Sequence, residues 1–211
     1  MQFKNRHEAA RQLIPLLQKY KREQALVLAV PRGGVPVAYY VAKDLNLPLE
    51  LLMTKKIGHP AYREFAIGAV SPEGHVIDES YGIPESYLED EVKRQQEYLD
   101  AQYRKFMGNR QPADAENKTV IIIDDGIATG HTVLAAIKML RQKNPAKIVV
   151  AVPVAPPDAA ARIQKQADDF ICLHTPSHFV SVGMHYADFS EVSDEEVARL
   201  LRDASHSGSA V

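Results

Sequence analysis

The stretch Val120-Ile121-Ile122-Ile123-Asp124-Asp125-Gly126-Ile127-Ala128-Thr129-Gly130-His131-Thr132 decides how this chain is read. It opens on a β-branched run, Thr119–Ile123, whose apolar character is continuous rather than alternating. That pattern predicts a strand covered on both faces. The run ends in two carboxylates, passes through a loop of small residues, and enters a helical pattern over Thr132–Gln142. A small-residue loop leading into a helix N-terminus presents free backbone N–H groups aligned with the helix dipole, which is a phosphate site. The hydroxyls of Thr129 and Thr132 add donors, and Gly126 and Gly130 allow the backbone to approach a ligand closely. Asp124 and Asp125 repel a phosphate, so they face hydroxyl groups or a cation carried with the ligand. A ribose 5-phosphate has the required phosphate end and vicinal diol. Alone, Asp-Asp-Gly would read as a turn and Thr-Gly as a helix cap; the strand–loop–helix setting favours the ligand.

The same rhythm recurs along the chain. Ala25–Val30, Glu50–Thr54, Lys147–Val152 and Asp169–Leu173 are further apolar runs of strand length, and Val35–Leu45 and Asp158–Gln166 are helical. Strand–helix–strand repetition predicts an α/β fold, a parallel sheet of about five strands with helices on both faces. Lys4–Lys21 reads as an N-terminal helix interrupted by Pro15. Residues 71–118 form a long excursion, read as a helical insertion or hood. It contains a helix over Glu85–Met107, begun by Pro84 with the pair Ser86 and Glu89, and striped by Leu88, Val92, Leu99, Tyr103 and Phe106. Residues 1–211 are read as one domain, with 203–211 as a fraying tail.

Composition narrows the function classes. With 27 acidic and 25 basic residues among 211, the net charge of −2 gives no general field for nucleic acid, and no apolar run is long enough to span a bilayer. The single cysteine, Cys172, excludes an internal disulfide and a cysteine-based zinc site. The N-terminus lacks the apolar core of a secretory signal, so a cytoplasmic protein is expected. No GxxxxGK[ST] loop is present, which argues against a P-loop kinase. Homo-oligomerisation stays open.

The stretch 120–132 closely resembles the diphosphosugar-binding signature of type I phosphoribosyltransferases. Pro31-Arg32-Gly33-Gly34 follows the first strand, where that family carries its pyrophosphate loop. Thr54–Val70 and Gly183–Val197 resemble a poorly characterised bacterial branch of it. The resemblance implies transfer of phosphoribosyl from phosphoribosyl diphosphate to a nitrogenous acceptor, with Mg²⁺ carried on the diphosphosugar and no metal bound by the chain's own ligand set. It implies that Asp124 and Asp125 meet the ribose hydroxyls and that Ala128, Thr129, Gly130, His131 and Thr132 hold the 5-phosphate. Arg32 and Gly33, with Lys55 or Lys56, would hold the diphosphate. It also implies a cis peptide at Pro31–Arg32. Members acting on 6-oxopurines place a carboxylate where this chain has Ala128, which disfavours hypoxanthine and guanine.

Other residues are open in role. Phe179, Tyr186 and Phe189 are either an aromatic acceptor pocket or core, with core the better reading of Phe189. Gly58–Ala66 reads as a mobile closing segment, with Arg63 and Glu64 as lid residues or a loop salt bridge. The acidic runs Glu89–Glu91 and Asp194–Glu196 read as solvated helix faces or helix starts. His174 and His178, separated by Pro176, do not form a metal pair. Two classes of function remain: a transferase, or a non-catalytic sensor of phosphoribosyl diphosphate or a nucleotide. A phosphate-ester hydrolase using Asp124 ranks below both.

Overall fold

The computed structural model describes residues 2–63, 65–78 and 81–207. Five parallel strands form the main sheet: β1 (Ala25–Ala29), β2 (Leu49–Leu51), β6 (Thr119–Ile123), β7 (Lys147–Val154) and β8 (Asp169–His174), ordered β2-β1-β6-β7-β8. Period-two alternation splits each strand between two cores. Val27, Ala29, Ile121, Ile123 and Val149 pack against α1 (Arg6–Leu17), α2 (Gly34–Leu45) and α6 (Asp194–Ser207). Leu26, Leu28, Val120, Ile122 and Val150 pack against α4 (His131–Arg141) and α5 (Pro157–Gln164). Both faces are therefore covered, which is why the strands read as unbroken apolar runs.

The excursion is not purely helical. Between β2 and β6 the chain forms a second, antiparallel sheet of β3 (Lys55–Gly58), β4 (Ala66–Ser71) and β5 (Gly74–Ile77), followed by α3 (Glu85–Met107). The departure from the main sheet thus begins at Lys55, before residue 71. The segment expected to be mobile is the connection of the β3–β4 hairpin, closed by hydrogen bonds from His59 N–H to Phe65 O at 2.9 Å and Tyr62 N–H to His59 O at 3.1 Å. Arg63 is exposed on that connection, and Glu64 lies outside the described residues. The helix α3 is tied to the parallel sheet by Tyr103, whose hydroxyl donates to the buried Glu50 carboxylate at 3.2 Å.

One further expectation is corrected. Pro15 does not interrupt α1, which runs unbroken from Arg6 to Leu17. The first part of the tail expected to fray, from Asp203, belongs to α6, which runs to Ser207; residues 208–211 lie outside the described set. Among the described residues no helix is long and apolar enough to cross a membrane.

The central strand β6 carries Ile122, which is fully buried. Ile122→Ala leaves a void in that core and should cost about 2–5 kcal/mol, seen as a lower denaturant midpoint at unchanged slope.

Candidate functional site

The C-terminal ends of β1 and β6 are neighbours, so the segments leaving them meet. In open α/β sheets this edge is where ligands bind. Val30 N–H donates to Ile123 O at 2.9 Å, and Gly34 N–H donates to Val30 O at 3.0 Å, closing the Pro31–Gly34 turn onto β6. The Pro31–Arg32 peptide is cis. A Cβ on Gly33 would lie 2.1 Å from Asp125 Oδ2, and one on Gly34 would lie 2.7 Å from Ile123 O. Only glycine lets this turn lie against the two aspartates.

Asp125 is 8% exposed. Its Oδ2 accepts from Arg6 Nε at 2.8 Å, its N–H donates to Asp124 Oδ1 at 2.8 Å, and its carbonyl accepts from the Tyr186 hydroxyl at 2.6 Å. Two carboxylates thus share one nearby guanidinium. Burial, then repulsion from Asp125, pushes Asp124 well above the ordinary carboxylate range. Burial raises Asp125 as well, opposed by Arg6. Asp124 keeps partial exposure to the cleft.

Arg6 is the residue the sequence did not single out. Asn5 caps α1 by accepting from Glu8 N–H at 3.0 Å, which sets Arg6 as the first helical residue. The preceding residues are stitched to the segment 185–188: Phe3 N–H donates to His185 O at 2.8 Å, and Ala187 N–H donates to Phe3 O at 2.7 Å. The Arg6 guanidinium also lies 4.1 Å from the Phe189 ring centroid and donates to Ser190 O at 2.8 Å. Its partner Asp125 is 119 positions away, a separation with no local pattern to betray it.

These groups line an open cleft of about 610 Å³, together with Arg32, Thr132 and Glu191. Beside it runs the loop 126–132. Ile127 N–H is committed to Val154 O at 2.8 Å. Among the described residues, the N–H groups of Ala128–Thr132 meet no protein acceptor, and Gly130 takes the left-handed conformation at φ +76° as the cap of α4. Ala128, Thr129 and Thr132 are exposed. Unfilled amides at a helix N-terminus, aligned with the helix dipole, suit an anion.

Several candidates stand elsewhere. Lys55 and Lys56 begin β3 of the second sheet instead of following β2 at the parallel-sheet edge, and neither lines the cleft. The Lys55 ammonium lies 4.0 Å from the Tyr98 ring centroid on α3. Phe179 stacks on His185, with centroids 5.7 Å apart, and is not part of the cleft wall. Tyr186 is buried at 4% exposure and holds the Asp125 backbone, with burial raising its phenol. Phe189, read as core, lines the cleft, and His131 lines a separate cavity. Asp194, read as solvated, pairs with Lys105 and lies 3.6 Å from Arg32. Arg32 itself is engaged by Glu191 at 2.5 Å.

Comparisons with known proteins bear on the family and the fold. The family model for the phosphoribosyl transferase domain matches residues 2–188. Two curated Mycobacterium tuberculosis proteins, named as candidate phosphoribosyl transferases, are each 38% identical over 210 residues, 97% of this chain and 47% of theirs. The chain therefore spans about half the length of these relatives. A crystal structure of a Thermus thermophilus protein superposes with a TM-score of 0.90 at 37% identity, covering 96% of this chain and 99% of that one. A uracil phosphoribosyltransferase of Clostridioides difficile is 38% identical over 58 residues, 28% of each chain.

Arg6→Ala removes the only guanidinium paired with Asp125 among the described residues and should cost about 3–5 kcal/mol. The loss depends on pH. Once unpaired, Asp125 binds its proton more tightly folded than unfolded, so protonation favours the folded state. The deficit should be greatest near neutral pH and shrink as pH falls through the raised folded pKa toward 3.8. Denaturant unfolding of wild type and variant across pH 4–8 measures it.

Proposed function

The chain belongs to the phosphoribosyl transferase family, and on that premise we propose that its cleft binds phosphoribosyl diphosphate and transfers the phosphoribosyl group to a nitrogenous acceptor, releasing pyrophosphate. The observation that carries this reading is the row of unfilled amides at Ala128–Thr132 beside the cleft-facing carboxylate of Asp124. The amides take the 5-phosphate, and Asp124, held beside Asp125, takes the ribose diol.

The reaction breaks the bond between the anomeric carbon and the diphosphate oxygen. A bond from the acceptor nitrogen to that carbon replaces it, the bonding pair leaves on pyrophosphate, and the acceptor gives up a proton where it carries one. The ring carbon is cationic between these events. A protein catalyses such a step by positioning and by electrostatics placed in advance. The 5-phosphate cradle fixes one end of the sugar, and Arg32 with the Gly33 backbone meets the diphosphate at the other, the Gly34 N–H being committed to Val30 O. The paired carboxylates add negative potential near the developing cation. Tyr186 and Arg6 hold Asp125 in place, and so act as positioning residues.

Mg²⁺ carried on the diphosphosugar would supply charge neutralisation at the leaving group. Among the described residues, no group of three or more His, Cys, Asp or Glu side chains is arranged to hold a metal. A cation delivered on the substrate would be met by the partly exposed Asp124. The cradle residue Ala128 supplies no carboxylate to deprotonate a 6-oxopurine, so the favoured acceptor needs no base from that position. The reading keeps the chain in the cytoplasm with its soluble substrate.

Arg32 must exchange its carboxylate partners for the diphosphate. Glu191→Ala, at a side chain 78% exposed, should therefore tighten phosphoribosyl diphosphate binding several-fold without lowering stability by more than about 0.5 kcal/mol. Calorimetric titration measures the affinity, and unchanged or weaker binding would remove Arg32 from the diphosphate site.

The class of function is tested by pyrophosphate release from phosphoribosyl diphosphate and Mg²⁺ against a library of nucleobases and amines. A transferase gives acceptor-dependent release, lost in Asp124→Asn/Asp125→Asn while that variant stays folded. Binding with no release from any acceptor would favour a sensor.

A further inference from the structure

We propose that the cavity between α4, α5 and β4 is a second anion site, separate from the cleft and suited to an organic diphosphate. The cavity is about 320 Å³ and takes its cations from both helices. His131, Leu134, Ala135 and Lys138 lie along one face of α4, spaced by three, four and seven residues. Arg162 comes from α5, and Lys165 follows its end. Ala66 and Gly68 of β4 complete the wall.

Charge carries the argument. Lys138, Arg162 and Lys165 border one concavity with His131 beside them, and like charges gathered this way repel unless an anion joins them. Arg162 approaches Asp158 at 3.4 Å and donates to Thr129 O at 2.8 Å, which holds its guanidinium at the cavity. Lys138 and Lys165 make no ion pair with a described residue. Lys138 and Lys165, with Arg162 partly offset by Asp158, supply positive charge suited to the two to three negative charges of a diphosphate ester near neutral pH.

Size and lining select an organic ester over inorganic phosphate. The volume lies at the lower end of small-ligand sites, roughly 300–1,000 Å³, and free phosphate would leave most of it unfilled. Leu134, Ala135 and Ala66 offer an apolar wall to the body of the ligand, while the cations take its phosphates. The site borders the 126–132 loop through His131 and through the Arg162 bond to Thr129 O, whereas the two lysines lie outside that loop and the cleft, so a lysine variant separates this proposal from the transferase reading.

Adenosine diphosphate serves as the probe, titrated without Mg²⁺ into the full chain labelled at leucine and alanine methyls. The Leu134 and Ala135 signals should shift saturably. Lys138→Glu/Lys165→Glu should weaken that binding at least about tenfold with an unchanged circular-dichroism spectrum. Phosphoribosyl diphosphate with Mg²⁺, followed at the Ala128 methyl of the cradle, reports on the cleft and should bind the same variant at the wild-type level. Pyrophosphate should bind more weakly than adenosine diphosphate. Unmoved Leu134 and Ala135 signals, equal affinity in the double variant, or equal affinity for pyrophosphate would each overturn the proposal.

Discussion

The architecture depends on keeping two adjacent carboxylates at the end of a central strand. Asp124 and Asp125 sit where burial penalises charge, with one guanidinium close enough to offset it. Almost every unusual feature nearby answers that demand. Gly33 is glycine because the turn lies against Asp125 Oδ2. Tyr186 is buried with its hydroxyl on the Asp125 carbonyl, and the N-terminal segment pairs with residues 185–188 to deliver Arg6. A purely structural turn has no need of so costly an arrangement. Buried, incompletely compensated charge of this kind concentrates where a ligand completes the electrostatics.

The parts visible in the sequence were those governed by local rules. Continuous β-branched runs mark strands covered on both faces, and Thr119–Ile123 falls where the run predicts. A small-residue loop before a helix is equally local, so the cradle at Ala128–Thr132 is legible without the fold. The second sheet was hidden because its strands look unlike strands: β3 is Lys-Lys-Ile-Gly, and β4 carries Gly68 among small residues. Tertiary packing against α3 and α4 stabilises them, and propensity does not report that.

Long-range electrostatics was the other blind spot. Arg6 sits among ordinary helix-start residues, and only folding brings it to Asp125. Asp194 does start a helix, yet its carboxylate also answers Lys105 and lies near Arg32. Tyr186 and Phe189 exchanged expected places because aromatic residues three positions apart in an irregular segment carry no periodicity from which to choose the buried one. The buried Tyr186 became a prop, and Phe189 became the ring under Arg6.

A crystal structure with phosphoribosyl diphosphate and Mg²⁺ tests the central claim most directly. The account predicts the 5-phosphate within hydrogen-bond distance of the Ala128–Thr132 amides, with the ribose diol at Asp124. A bound sugar whose phosphate lies elsewhere, leaving those amides to solvent, would contradict it.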